Sequence, residues 1–352
     1  MAYTTIDNPG LFFNTVLWTG NGVDDRSITG VGFQPDWVWL KQRNGTNYHT
    51  SFDSVRGATK RIFPNVNEAE DTNADSLQAF QTDGFEVGTN AGVNGNTNTY
   101  VAWNWLGANG TASNGNGSIT STVSVNTTAG FSIVSYTGTG SAATVGHGLG
   151  AIPKMFIVKN RSSAQSWRVY HNALGATKEI YFDANSAAGT SSSSFNDTEP
   201  TSSVFSVGTG NGTNKSSENL IAYCFAEKKG YSKFASYTGQ GGAGGQYPFI
   251  YTGFKPAWIL IKDSDSTQGW FMYDNKRDTI NPNTKILIAD TSGAEEDSAS
   301  TGNTFDIDFV SNGFKIRTSD GGVNSNGNKY IYMAFAENPF VTAGTKAAGT
   351  AR

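Results

Sequence analysis

Three stretches of this chain repeat one another. Leu17-Trp18-Thr19-Gly20 recurs as Ser135-Tyr136-Thr137-Gly138 and as Ser236-Tyr237-Thr238-Gly239. A proline follows each of those glycines at 15, 15 and 17 residues, as Pro35, Pro153 and Pro256. Each proline opens an apolar run that ends in a lysine six residues on. The runs are Trp37-Val38-Trp39-Leu40-Lys41, Met155-Phe156-Ile157-Val158-Lys159 and Trp258-Ile259-Leu260-Ile261-Lys262. Arg56-Gly57-Ala58-Thr59-Lys60 then matches Leu174-Gly175-Ala176-Thr177-Lys178, of which the third copy keeps Thr284-Lys285. Gly84-Phe85-Glu86-Val87-Gly88 matches Val204-Phe205-Ser206-Val207-Gly208 and Gly313-Phe314-Lys315-Ile316-Arg317. An aromatic-rich segment closes each copy, at Tyr100 to Trp105, Leu220 to Phe225 and Tyr330 to Phe335. From proline to final aromatic the distances are 70, 72 and 79 residues. Landmarks kept in this order define an internal repeat of about a hundred residues, the size of a small domain.

The repeat sets the expected organisation. Residues 1–107 form unit one, 108–130 a Gly/Ser/Asn-rich linker that could include an early strand of unit two, 131–231 unit two, 232–340 unit three and 341–352 a loosely ordered tail. Only Lys228-Lys229-Gly230 separates the second and third repeats. Those two are expected to pack as a rigid pair, with unit one set apart by the linker.

The expected fold class is all-β, three tandem β-sandwich domains of jelly-roll or immunoglobulin-like type. Proline is tolerated at a strand start, and five apolar residues after it make a strand buried on both faces, between a sheet and something that covers it. Thr304-Phe305-Asp306-Ile307-Asp308-Phe309-Val310 alternates, as a strand with one solvated face does. Asn44-Gly45, Asp83-Gly84, Asn94-Gly95, Asn312-Gly313 and Asn326-Gly327 suit tight hairpin turns. The 42 glycines and a charged fraction of only 15% fit short strands with many turns. The repeated aromatics read as cores, with Trp258 expected inside unit three, where its loss would unfold that unit. The repeated lysine reads as a strand-end residue whose ammonium reaches water.

No catalytic, cofactor-binding or metal site is expected. His49, His147 and His171 lack metal-ligand spacing. Cys224, the single cysteine, stands in an apolar run and reads as a small buried hydrophobe. His171, Asp274 and Asp53 occupy one repeat position after an aromatic, which suggests a shared hydrogen-bonding role. Glu68-Ala69-Glu70-Asp71 and Glu295-Glu296-Asp297 read as solvated loops, and Asp306 and Asp308 as solvent-directed. Asp263-Ser264-Asp265-Ser266-Thr267-Gln268-Gly269 matches a calcium loop only loosely, and Gly239 to Gly245 is a flexible turn with no helix after it. A net charge of −4 with no basic stripe gives nucleic acid no electrostatic footing. No signal peptide or membrane span is visible, so membrane insertion is not expected and synthesis and folding in a cytosol are.

Gly30-Val31-Gly32-Phe33-Gln34-Pro35-Asp36-Trp37-Val38-Trp39-Leu40-Lys41, Gly146-His147-Gly148-Leu149-Gly150-Ala151-Ile152-Pro153-Lys154 and Tyr332-Met333-Ala334-Phe335-Ala336-Glu337-Asn338-Pro339-Phe340 resemble repeat-containing virion structural proteins of marine tailed bacteriophages. The resemblance covers nearly the whole chain. It implies a non-enzymatic protein on the virion surface, a tail-fibre or tail-appendage segment that contacts host surface glycans, or a head-decoration knob on the capsid. It also implies other virion proteins and further copies of the chain as partners. A glycan-degrading β-sandwich enzyme is the reading from another class, and the alternating acids of laminarinase-like enzymes are missing for it.

Overall fold

The computed structural model describes residues 3–302 and 304–341. The repeat landmarks become the strands of one antiparallel sheet in each unit. Unit one contributes β1 (Phe13–Thr19), β2 (Trp37–Gln42), β3 (Thr50–Asp53) and β4 (Thr99–Trp105). Unit two contributes β5 (Phe131–Thr137), β6 (Met155–Asn160), β7 (Arg168–His171) and β8 (Asn219–Phe225). Unit three contributes β9 (Ser232–Thr238), β10 (Phe254–Asp263), β11 (Trp270–Asp274) and β12 (Lys329–Pro339). All three sheets share one order: β1-β4-β2-β3, β5-β8-β6-β7 and β9-β12-β10-β11. First and last strands pair along their length, Phe13 opposite Trp105, Phe131 opposite Phe225 and Ser232 opposite Phe335. The first and last strands of each unit are therefore neighbours in its sheet.

A smaller sheet covers the outer face. It holds three strands in unit one (26–29, 84–87, 77–81) and three in unit three (249–251, 313–316, 307–310). Unit two has two (143–146, 204–207). Each sandwich has its own core. Val38, Leu40, Tyr100 and Ala102 meet Phe85 and Val87 in unit one. Phe156, Val158 and Ala222 meet Phe205 and Val207 in unit two. Ile259, Ile261 and Tyr332 meet Phe314 and Ile316 in unit three.

The alternate residues of the same strands point the other way, into one core common to all three units. Trp37, Trp39, Trp103 and Trp105, then Met155, Ile157, Tyr223 and Phe225, then Trp258, Leu260, Met333 and Phe335 all belong to it. Trp37 stacks on Tyr223 at 4.4 Å between ring centroids, Phe13 on Phe335 at 5.0 Å, and Phe225 meets Phe335 edge-on at 6.1 Å. This is why the runs are apolar at consecutive positions: one face fills the unit, the other fills the centre. The cover that such a strand demands is the other two units. Unit one is accordingly packed against the pair instead of standing apart, and Trp258 belongs to the common core.

The segment expected as a linker is also built in. Residues 112–114 and 121–126 are strands that extend the unit-two sheet beyond β5. Its start is pinned by Asp36, which accepts from the backbone N–H of Gly107 at 2.7 Å and of Asn109 at 3.1 Å, and from the Ser54 hydroxyl at 2.5 Å. Glycine and serine here serve close packing: a Cβ on Gly107 would meet Ser124 Oγ at 2.7 Å. The tail expected over 341–352 lies, beyond Val341, outside the described residues.

The glycine of the Thr-Gly landmark has a steric reason in every copy. A Cβ on Gly20, Gly138 or Gly239 would lie 2.1, 2.3 or 2.1 Å from the carbonyl oxygen of Gly95, Lys215 or Ser325. That carbonyl follows Asn94, Asn214 and Asn324, three fully buried amides. Their Oδ1 atoms accept from the N–H of Asn21, Thr139 and Gln240 at 3.1, 2.8 and 2.8 Å. Each asparagine stands six residues before the start of the closing aromatic segment, a repeat signal the landmarks above passed over.

Candidate functional site

The units meet at three seams, and one backbone hydrogen bond recurs at each. Glu70 N–H donates to Arg161 O at 2.9 Å, Ala188 to Ser264 at 2.9 Å and Glu295 to Arg43 at 2.7 Å. The order one to two, two to three, three to one closes a ring, so the body has pseudo-threefold symmetry.

Two seams carry a buried charge network. Arg56 Nε lies 2.5 Å from Asp53 Oδ2, and its Nη1 lies 3.2 Å from Glu70 Oε2. Glu70 then reaches Arg161 of unit two through Nε at 2.8 Å and Nη2 at 2.9 Å. The Tyr223 hydroxyl of unit two donates to Asp53 at 2.6 Å. Between units three and one, Arg277 lies 2.5 Å from Asp274 and 3.2 Å from Glu295, which holds Arg43 at 2.7 and 2.9 Å. Trp103 Nε1 of unit one donates to Asp274 at 3.1 Å. Burial pushes the Glu70 and Asp274 carboxyls up, but the neighbouring guanidiniums outweigh it and hold both below the usual range. Glu70 and Glu295 are thus bridges between units, not members of solvated loops; their partners lie on another repeat, out of reach of local pattern.

The seam between units two and three is different. His171 stands where Asp53 and Asp274 stand, and Leu174 replaces the arginine. Its Nδ1 accepts from Ala173 N–H at 3.2 Å, so the proton sits on Nε2, 3.2 Å from Tyr332 O of unit three. Burial pulls His171 down to about 4. The shared hydrogen-bonding role expected for these three positions is present, and it works across the seams.

Lys41, Lys159 and Lys262 continue the inward rows and cap the common core. None is exposed, which corrects the expectation that their ammonium groups reach water. Lys159 donates to Asn67 O at 3.0 Å across a seam and to Gln165 O at 2.7 Å. Lys262 donates to Asn185 O at 3.1 Å across the next seam and to Asp263 O at 2.7 Å. Lys41 donates to Gln42 O at 2.8 Å and Gly45 O at 2.9 Å. Loop carbonyls replace the water, and burial brings each lysine down to about 8.

The remaining candidates are occupied by structure. Cys224 faces the unit-two core, and burial pushes its thiol up. His147 accepts from Leu149 N–H and faces Thr201 O, and His49 accepts from Trp39 Nε1 at 3.0 Å. Asp263 accepts from the N–H of Asp265 and Ser266, from the Ser266 hydroxyl and from Asn328. Asp306 accepts from the Ser298 hydroxyl, and Asp308 lies 3.5 Å from Arg317. Both aspartates are half-buried, not fully solvent-directed. Among the described residues no group of three or more His, Cys, Asp or Glu could hold a metal ion, and no helix is long and apolar enough to cross a membrane.

An open cavity of about 310 Å³ lies on unit one between Tyr48, Phe63, Glu68 and Asn90. Tyr48 is 41% exposed and meets Phe63 edge-on at 5.7 Å. Arg61 sits 5.3 Å over the Phe63 ring and pairs with Asp71 through Nε at 2.8 Å and Nη2 at 2.5 Å. Of the acids in this loop only Glu68 and Asp71 line the cavity.

A family model described as a domain of unknown function, DUF7483, matches residues 8–339. The chain belongs to this family. The DUF7483 match begins ahead of β1 and ends with β12, so it takes in all three units. That span fits the packing, since half of every central strand is buried only when the three units are together. No curated protein and no solved structure matches the chain.

Proposed function

We propose that the chain is a structural component of a bacteriophage particle, a tail-fibre or tail-appendage segment assembled with other virion proteins and contacting host glycans. The observation that carries this reading is the pseudo-threefold body. One polypeptide presents the shape of a trimer, which fits the trimeric symmetry common among fibres. The resemblance of its repeat motifs to virion proteins supports the same reading. So do the seams: at two of them paired and hydrogen-bonded charges tie neighbouring units together, and all three units share one core.

A second reading, a head-decoration knob, is favoured by the ring closure itself. Three units around one axis also give a compact body suited to sitting on a shell. Antibody raised to the chain and imaged on intact virions by electron microscopy tests both. Label on the tail supports the appendage, label spread over the head supports the knob, and absence of the chain from purified particles refutes the two together.

A further inference from the structure

The three repeats are alike in backbone but not in how they fill one slot. Thr50 pairs with Leu40, Arg168 with Val158 and Phe271 with Ile261, the same register place in each unit. Across the slot stands a glycine five, five and six residues after the end of the landmark strand: Gly92 after Val87, Gly212 after Val207 and Gly322 after Ile316. In unit two Arg168 fills the slot. Its guanidinium carbon lies 3.2 Å from where a Cβ on Gly212 would be, 4.2 Å over the Tyr181 ring, and its Nε pairs with Glu179 at 2.9 Å. In unit three Phe271 fills it, with Cζ 2.2 Å from the Cβ position of Gly322. In unit one Thr50 is short, and Gly92 meets only Asn90 Oδ1, at 2.9 Å. The glycine that makes room for a large side chain is present in unit one, and the side chain is not. The cavity of about 310 Å³ is what remains.

We propose that this cavity binds one uncharged or amine-bearing sugar ring of a glycan. It gives a site to the glycan contact in the reading above, and rests on that reading only for where the sugar comes from. Three features of the lining set the ligand class. Tyr48 offers a half-exposed ring held in place by Phe63, a platform for the apolar C–H face of a pyranose. Around it stand groups that hydrogen-bond hydroxyls: the exposed Glu68 carboxylate, and the Asn90 amide, whose Oδ1 is taken by Gly92 N–H so that its NH₂ is left for a ligand. Arg61 uses Nε and Nη2 on Asp71, which leaves Nη1. One guanidinium against two carboxylates, Glu68 and Asp71, makes the lining net negative and disfavours uronates and sulfated sugars. The volume is at the low end of the range of about 300–1,000 Å³ for small-molecule sites, room for a ring and not for an extended chain.

Saturation-transfer NMR on the full chain tests this with methyl α-D-glucopyranoside, D-glucosamine, N-acetyl-D-glucosamine and D-glucuronate. At least one of the first three is expected to bind, at least about tenfold more tightly than glucuronate. Thr50→Phe, which copies the unit-three plug against an existing glycine, is expected to abolish the signal while the thermal midpoint holds. Tyr48→Ala, on an exposed position, is expected to weaken it by about tenfold or more, and serves if Thr50→Phe does not fold. Binding of none of the sugars, preference for glucuronate, or unchanged binding in both variants would overturn the proposal. Because the assay uses the isolated chain, its failure and a failure to find the chain on virions are separate results.

Discussion

Trp258→Ala should loosen all three units, not unit three alone. The indole is fully buried at the centre of the common core. Four of its aromatic neighbours belong to unit one: Trp105 at 5.7 Å, Phe13 at 6.2 Å, Trp39 at 6.3 Å and Trp103 at 6.4 Å. Phe335, at 6.1 Å, belongs to unit three. A buried tryptophan truncated to alanine costs about 3–5 kcal/mol through lost transfer energy and the cavity left behind. The Trp258 Nε1 has no hydrogen-bond partner, and removing an unpaired buried donor returns about 1–3 kcal/mol. The net loss should therefore be about 2 kcal/mol. Urea unfolding read by hydrogen-exchange mass spectrometry on peptides from each unit is the assay. The midpoint should move down equally for β4, β8 and β12, with an unchanged slope, as one cooperative transition requires. Peptides of unit three opening at lower urea, while units one and two keep their midpoint, would refute the shared core.

The other predictions concern charge. Asp53→Ala leaves Arg56 fully buried beside an empty place and should cost about 3–5 kcal/mol in a urea titration; a loss under about 1 kcal/mol would mean that Glu70 alone holds the guanidinium. Lys159, with a folded pKa of about 8 against 10.5 unfolded, binds fewer protons folded than unfolded between those values, so stability should rise with pH across that window. Lys159→Met should remove its share of that rise, on the order of 3 kcal/mol at most, and an identical pH slope in the variant would contradict burial of the ammonium. His171, at about 4 against 6.5, makes the unfolded chain the better proton acceptor as pH falls from 6.5 to 4. Stability should drop over that range by up to about 3 kcal/mol, and His171→Asn, which cannot titrate, should flatten the drop in thermal melts at stepped pH.

The strands were legible because each landmark is local. Proline, five apolar residues and a lysine fix β2, β6 and β10, and apolar character on both faces correctly demanded a cover. What supplies the cover was not legible, since Trp37 meeting Tyr223 is a contact between repeats and leaves no periodicity behind. The lysines failed for the same reason. At the end of an isolated strand Lys159 would reach water; here the carbonyl of Asn67, on another unit, arrives first. Glu70 and Glu295 sit in polar surroundings by sequence, and only ring closure brings Arg161 and Arg43 to them. The cavity was half-written: Thr50, Arg168 and Phe271 differ plainly when the repeats are aligned, but their slot has a volume only once Gly92, Gly212 and Gly322 are seen across from them.

The seams are unequal in one further respect. Peptide bonds tie unit one to two and two to three, while units three and one are joined by contacts alone. There the chain spends its Arg43–Glu295–Arg277 bridge, and lays its first residues across the join, with the Tyr3 hydroxyl on Gly253 O at 2.6 Å and Phe13 stacked on Phe335 at 5.0 Å. Under mechanical load applied at the two ends, that strap and the join beneath it are expected to part before the two covalently bridged seams, so a force–extension trace should show an early step that Glu295→Ala brings to lower force.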